Sequence, residues 1–341
     1  MAYTTIDKSS LHFNTKLYTG TGAENAVTGI NFQPDWTWIK SRNATYDHTL
    51  YDAVRGATKQ LYSNHTNGQY TEAQGLKSFD SDGFTNGTDA KGNNNGTTFV
   101  SWNWKANGSG SANSDGDITS TVSVNTTSGF SIVKYTGDGT TGQTVGHGLG
   151  SVPKLIINKQ LTTQNWFVYH HSIGNTKVLK LNTTGAETTS SAWNNTTPTS
   201  SVFTIGTSAS TNVSGENFIN YCFAEKQGFS KFGSYKGNGN DDGAFIYTGF
   251  KPAFILVKNA AITDNWSIFD NKRLGYNAFN YVLYADITNV GSNGLPIDIL
   301  SNGFKWRTSA AMVNGSGNNC IFMAFAEAPL VGSNNVPATA R

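Results

Sequence analysis

The chain has 341 residues, 37% of them hydrophobic and 12% aromatic, which allows two or three domains with cores of their own and excludes a disordered chain. Charged residues make up 13%, about half the usual ~25%. The net charge is +2 and Lys and Arg are scattered singly, so there is no basic field to attract nucleic acid. The longest apolar runs, Ala253 to Val257 and Cys320 to Ala326, fall far short of the ~20 residues of a membrane-spanning helix.

Gly, Asn, Ser and Thr replace the missing charge. These residues serve turns and hydroxyl-rich strands rather than helices, so the expected fold class is all-β. Met1 to Lys8 contains no apolar signal region, and the chain is expected to be made in the cytoplasm. Cys222 and Cys320 read as two buried free thiols rather than a disulfide framework. Asn-x-Ser/Thr triplets such as Asn86-Gly87-Thr88 follow from the composition.

Residues 1–13 have no counterpart later in the chain and read either as a docking segment that adds a strand to a neighbouring protein or as a disordered terminus. Residues 14–106 form a first unit, 128–226 a second and 228–329 a third, with a tail at 330–341. The stretch 107–127, opening Asn107-Gly108-Ser109-Gly110-Ser111, reads as a Gly/Ser linker that leaves the first unit mobile. Only Lys226-Gln227-Gly228 separates the second unit from the third, so those two should be tightly coupled.

The units are defined by recurring landmarks. Tyr-x-Gly-x-Gly begins at Tyr18, Tyr135 and Tyr235. A proline is followed six residues later by a lysine at Pro34/Lys40, Pro153/Lys159 and Pro252/Lys258. A closing segment carries Trp102 and Trp104, then Tyr221 and Phe223, then Met323 and Phe325. Between proline and lysine the apolar residues fall at period two (Trp36 and Trp38, Leu155 and Ile157, Phe254 and Leu256), which predicts a strand with one buried face. The proline suits a strand's first residue, and the lysine at the far end should lay its stem on the core with its ammonium in water. Asp82-Gly83 and Asn302-Gly303 predict hairpins. The expected architecture is three tandem homologous β-sandwich repeats of jelly-roll or lectin-like type, with Pro34, Trp36, Trp104, Pro153, Phe223, Pro252 and Phe325 as core landmarks.

The opening Ala2 to Ser10, then Phe13 to Gly22, Phe32 to Arg42, Tyr51 to Ala57, Ser78 to Phe84 and Ser101 to Ala106 resemble virion structural and tail-fibre proteins of marine bacteriophages, cyanophage- and pelagiphage-like. Gly129 to Gly137 and His147 to Gly150 resemble second repeats of the same proteins. The resemblance implies a virion location and a non-enzymatic appendage that contacts a host surface glycan or protein. The alternatives are a decoration or adaptor protein that binds only other virion proteins and, at a distance, a polysaccharide-degrading enzyme. It implies other virion proteins as partners and a homo-oligomer, by analogy a trimer. The Asp52 to Gly56 segment is absent from the second and third units, which assigns its role to the first unit alone.

Candidate chemistry is sparse. Asp80/Asp82 and Asp241/Asp242 lie in turn sequences and read as turn formers rather than a glycosidase pair. Asp80-x-Asp82-Gly83 lacks the closing acid of a calcium loop. His170 and His171 are adjacent on a predicted strand and point to opposite faces, against a shared metal. Gly146-His147-Gly148-Leu149-Gly150 precedes a strand, not the helix that a dinucleotide loop needs. The expectation is no catalytic residue, no cofactor and no metal. Tyr70, Trp193 and Tyr276, in loop-like polar surroundings, are the candidate surface-binding residues, each weighed against an aromatic packed under its own loop.

Overall fold

The computed structural model describes residues 3–274 and 277–329; Tyr276 and the tail 330–341 lie outside the described residues. The fold is all-β. Its only α-helices among the described residues are single turns at Ala90–Asn93 and Ala311–Asn314.

One strand order recurs in three successive stretches. An opening strand (Phe13–Thr19, Phe130–Thr136, Ser230–Lys236) pairs with a closing strand (Thr98–Trp104, Asn217–Phe223, Asn319–Pro329). The closing strand pairs in turn with the proline strand (Trp36–Ser41, Leu155–Gln160, Phe250–Asn259), and that with an outer strand (Thr49–Asp52, Phe167–His170, Ser267–Asp270). All pairings are antiparallel. The register is the same each time: Trp36 faces Trp104, Leu155 faces Phe223 and Phe254 faces Phe325. Pro34 and Pro153 stand just before their strands, whereas Pro252 lies inside its strand at a bulge, where a missing amide disrupts no ladder.

A second layer covers one face of each sheet. Asn25–Thr28 pairs with Gly83–Asn86, Thr144–Gly146 with Val202–Thr204, and Phe245–Tyr247 with Gly303–Trp306. Between the layers sit Val27, Ile39, Phe84 and Phe99 in the first stretch. Val133, Val145, Ile156 and Phe203 fill the second, and Ile246, Ile255, Phe304 and Phe322 the third. Both Asx-Gly hairpins form, at Asp80–Gly83 and Leu300–Gly303.

The opposite face of all three sheets is also buried. Trp36, Trp104, Phe130, Phe223, Phe254 and Phe325 belong to one central cluster. Trp104, Phe223 and Phe325, one from each stretch, form a triangle with ring centroids 6.5, 5.7 and 5.8 Å apart. The three units are therefore not beads on a string, because each contributes one wall of a shared aromatic core.

Two expectations are corrected here. Residues 107–127 are not a loose linker. Ser111–Asn113 pairs with Ser120–Asn125, which extends the sheet beyond Phe130–Thr136. Asp35 holds the start of this stretch through the amides of Ala106 at 2.6 Å and Gly108 at 3.1 Å. Sheet pairing needs only backbone donors and acceptors, which Ser, Ala and Asn supply, and Val122 and Val124 give the period-two face. The N-terminal segment is likewise not a loose extension, because part of it packs on its own chain. Ile6 lies in the central cluster, and Tyr3 donates to the Gly249 carbonyl at 2.9 Å.

Candidate functional site

The lysines that close the proline strands are wholly buried, which corrects the expectation that their ammonium groups reach water. Lys40 Nζ donates to Tyr46 O at 2.8 Å and Ala44 O at 3.2 Å in its own loop, and to Thr288 O of the third stretch at 2.9 Å. Lys159 Nζ donates to Thr162 O and Gln164 O, each at 2.9 Å, and to Thr66 O of the first stretch at 3.1 Å. Lys258 Nζ donates to Asp264 O at 2.7 Å, Ile262 O at 3.2 Å and Thr184 O of the second stretch at 3.0 Å. Each ammonium thus ties its own loop to the neighbouring unit, and the three ties close a ring. Burial pushes Lys40 and Lys258 down to about 8; burial, with Arg55 nearby, brings Lys159 to about 7.

A second ring of contacts lies one strand away. Trp166 Nε1 donates to Tyr62 O at 2.8 Å and Trp266 Nε1 to Lys180 O at 2.9 Å; His48 Nε2 meets Tyr284 O at 2.8 Å. The outer strands end on Asp52, His170 and Asp270, which share one register position. Asp52 pairs with Arg55 and accepts from the Tyr221 hydroxyl at 2.8 Å. Asp270 pairs with Arg273 at 2.6 Å and accepts from Trp102 Nε1 at 3.1 Å. The Asp52 segment therefore does have a counterpart, Asp270 to Arg273, contrary to the sequence expectation. The signal was an Asp-x-x-Arg spacing, with different residues between. In the second stretch His170 takes the place of the aspartate and meets Phe322 O at 3.3 Å. Burial, then the adjacent His171, lowers it to about 3, so it stands neutral.

A further repeated residue escaped the sequence reading. Asn93, Asn212 and Asn314 each stand 11 residues before the closing aromatic, a constant spacing that could have found them. Each binds the turn of Tyr-x-Gly-x-Gly: Asn93 Oδ1 accepts from Thr21 N at 2.9 Å, Asn212 Oδ1 from Gly139 N at 3.0 Å, and Asn314 Oδ1 from Asn238 N at 3.0 Å. The tyrosine hydroxyls of the motif donate to nearby carbonyls, Tyr18 to Gly92, Tyr135 to Thr211 and Tyr235 to Val313.

The sequence-derived candidates do not converge. Trp193 is buried in the second unit's inter-layer core, edge-on to Tyr169 at 5.8 Å, and is not a surface platform. Its polar neighbours form the turn over it, with Asn194 and Asn195 in the left-handed region. Tyr70 is half-buried with its hydroxyl against that of Tyr62, and burial raises it to about 12. Tyr276 lies outside the described residues. Asp82 accepts from the amides of Gly29 at 3.0 Å and Asn31 at 2.6 Å, an internal turn contact. Among the described residues no group of three or more His, Cys, Asp or Glu is placed to hold a metal ion. Both cysteines are free and buried.

An open cleft lies where the N-terminal segment crosses the junction of the second and third units. A cleft of about 310 Å³ is bounded by Tyr3, Glu225, Gln227, Lys231, Tyr247 and Gly249. Tyr247 is 54% exposed, and Phe245, two residues earlier on the same strand face, is 45% exposed. Glu225 and Lys231 are ion-paired at 3.2 Å, and Gln227 is exposed. Tyr3 is held between two glycines in the left-handed region. A Cβ on Gly249 would lie 2.7 Å from the Tyr3 hydroxyl, and one on Gly228 would lie 3.2 Å from its ring. Burial and a hydrogen bond with Tyr247 push Tyr3 up to about 12.

A family model described as a domain of unknown function, DUF7483, matches residues 8–329. The chain belongs to the DUF7483 family. The match runs through all three stretches as one domain, as expected where all three line a common core. Neither a curated protein nor a solved structure matches the chain.

Proposed function

We propose that this protein is a non-enzymatic structural protein of a virus particle, a fibre-type or appendage accessory that meets other virion proteins on one side and the host surface on the other. The sequence resemblance to marine phage virion proteins motivates the reading. The observation that carries it is the use made of buried charge. Lys40, Lys159 and Lys258 tie loops of neighbouring units together, and Arg55 and Arg273 tie the turns after their outer strands back to those strands. Such a deployment suits a body that must hold its shape outside a cell, since charge stitched into carbonyl cages gives a fixed geometry rather than a reacting group.

The test is made on particles. Purified virions should contain the chain by mass spectrometry, and virions that lack it should adsorb to host cells more slowly while keeping intact capsids. Absence of the chain from purified virions overturns the proposal. Its presence with unchanged adsorption replaces the appendage with a decoration protein that binds only virion neighbours.

A further inference from the structure

We infer that the cleft between Tyr3 and Tyr247 is a carbohydrate-binding site that takes a neutral pyranose residue. The inference rests on the appendage reading only for its biological setting; the cleft stands independently of it.

The aromatic component is Tyr247, 54% exposed. Phe245 extends the same face by one strand repeat, so two rings lie in a row along the outer surface. An aromatic ring left half in water offers a flat apolar face on which the C–H face of a sugar can lie without burying its hydroxyls. The polar component is set around them. Gln227 offers both a donor and an acceptor, and the Tyr3 and Tyr247 hydroxyls are within reach of each other. Glu225 and Lys231 neutralise one another at 3.2 Å, so the rim carries no net charge and an anionic ligand gains little there. A volume of about 310 Å³ is at the small end of the ~300–1,000 Å³ of small-molecule sites, suited to one or two rings rather than a folded partner.

The site is built rather than incidental. Glycine is needed at both Gly228 and Gly249, because their backbones are left-handed and side chains there would press on Tyr3. Thr248 is turned inward, with Oγ1 on Phe250 O at 2.6 Å, which leaves the Tyr247 side chain outward. The N-terminal segment therefore completes a ligand cleft on its own chain.

The experiment uses the full chain and saturation-transfer NMR with the methyl glycosides of glucose, galactose, mannose and N-acetylglucosamine at millimolar concentration. At least one should receive saturation. Tyr247→Ala and Gln227→Ala should each weaken its binding about tenfold or more, with the melting midpoint unchanged because both side chains are exposed. Tyr70→Ala, on another part of the surface, should leave binding intact. No transfer to any of the four glycosides overturns the inference, as does transfer that both cleft variants leave unchanged. Binding of a short peptide in their place, by addition to the Phe245–Tyr247 edge, would also overturn it. Failure here leaves the particle test untouched, and a chain that binds sugar yet is absent from virions would refute the appendage reading alone.

Discussion

Replacing Lys159 by methionine keeps the buried stem and removes only the ammonium. Three carbonyls then lose a donor. Thr66 O retains the Gln164 amide at 2.9 Å, so Thr162 O and Gln164 O are the oxygens left without the bond that they had. Thr162 is exposed and Gln164 half-buried, so water reaches the first oxygen and the cost of an orphaned acceptor, ~1–3 kcal/mol, falls mainly on the second. Relief of the ammonium's own desolvation offsets part of this, for a net loss of about 1–2 kcal/mol. With ~2.1 cal/mol/K of unfolding entropy per residue over 341 residues, each kcal/mol moves the midpoint by about 1.4 °C, so a fall of roughly 1–3 °C is expected. Equilibrium denaturation measures the energy and calorimetry the midpoint. Hydrogen exchange should rise at the amides of Gln69 and Gln164, which bridge the same two units. A variant at least as stable as the parent would refute the reasoning, because it would mean that burying the charge costs more than its three bonds return.

The shared core predicts one calorimetric transition for the whole chain, with three separable transitions as the contrary result. Phe223→Ala, which empties one corner of the central triangle, should cost ~3–5 kcal/mol in the same measurement, and a loss below ~1 kcal/mol would contradict its burial. Arg55→Met leaves Asp52 buried without its cation and should cost ~3–5 kcal/mol, whereas an unchanged denaturation midpoint would deny the pair a structural role. Stability should rise with pH from about 4 to 9. His12, His48, His147, His170 and His171 are all lowered, chiefly by burial, so the unfolded chain takes their protons first as pH falls below about 6.5. The three buried lysines act in the same sense between their lowered values and about 10.5. Asp35 and Asp286, raised by burial, oppose this at acidic pH, and the raised tyrosines such as Tyr51 and Tyr221 turn the profile down above about 10. A stability maximum on the acid side of pH 6 would contradict the balance of five imidazoles against two carboxyls.

The all-β class, the period-two faces, the two Asx-Gly hairpins and the register landmarks from Pro34 to Phe325 are legible in the residues themselves. Each of these is written in side-chain chemistry over a few neighbouring residues: alternation selects a face, and proline or glycine selects a turn. How the three stretches meet is visible only in the folded chain. The carbonyls that reach Lys40, Lys159 and Lys258 from the neighbouring unit belong to Thr288, Thr66 and Thr184, and because the bond uses the backbone oxygen, a threonine in the sequence does not say which lysine its carbonyl will meet. Trp193 has the same polar sequence neighbours whether it is exposed or buried, and only the layer beneath its loop placed it inside. Ser111–Asn113 joined a sheet through backbone bonds that its Gly/Ser composition does not encode. The Tyr3–Tyr247 cleft joins residues more than 240 positions apart, brought together because the central aromatic core draws the N-terminal Ile6 against the third unit.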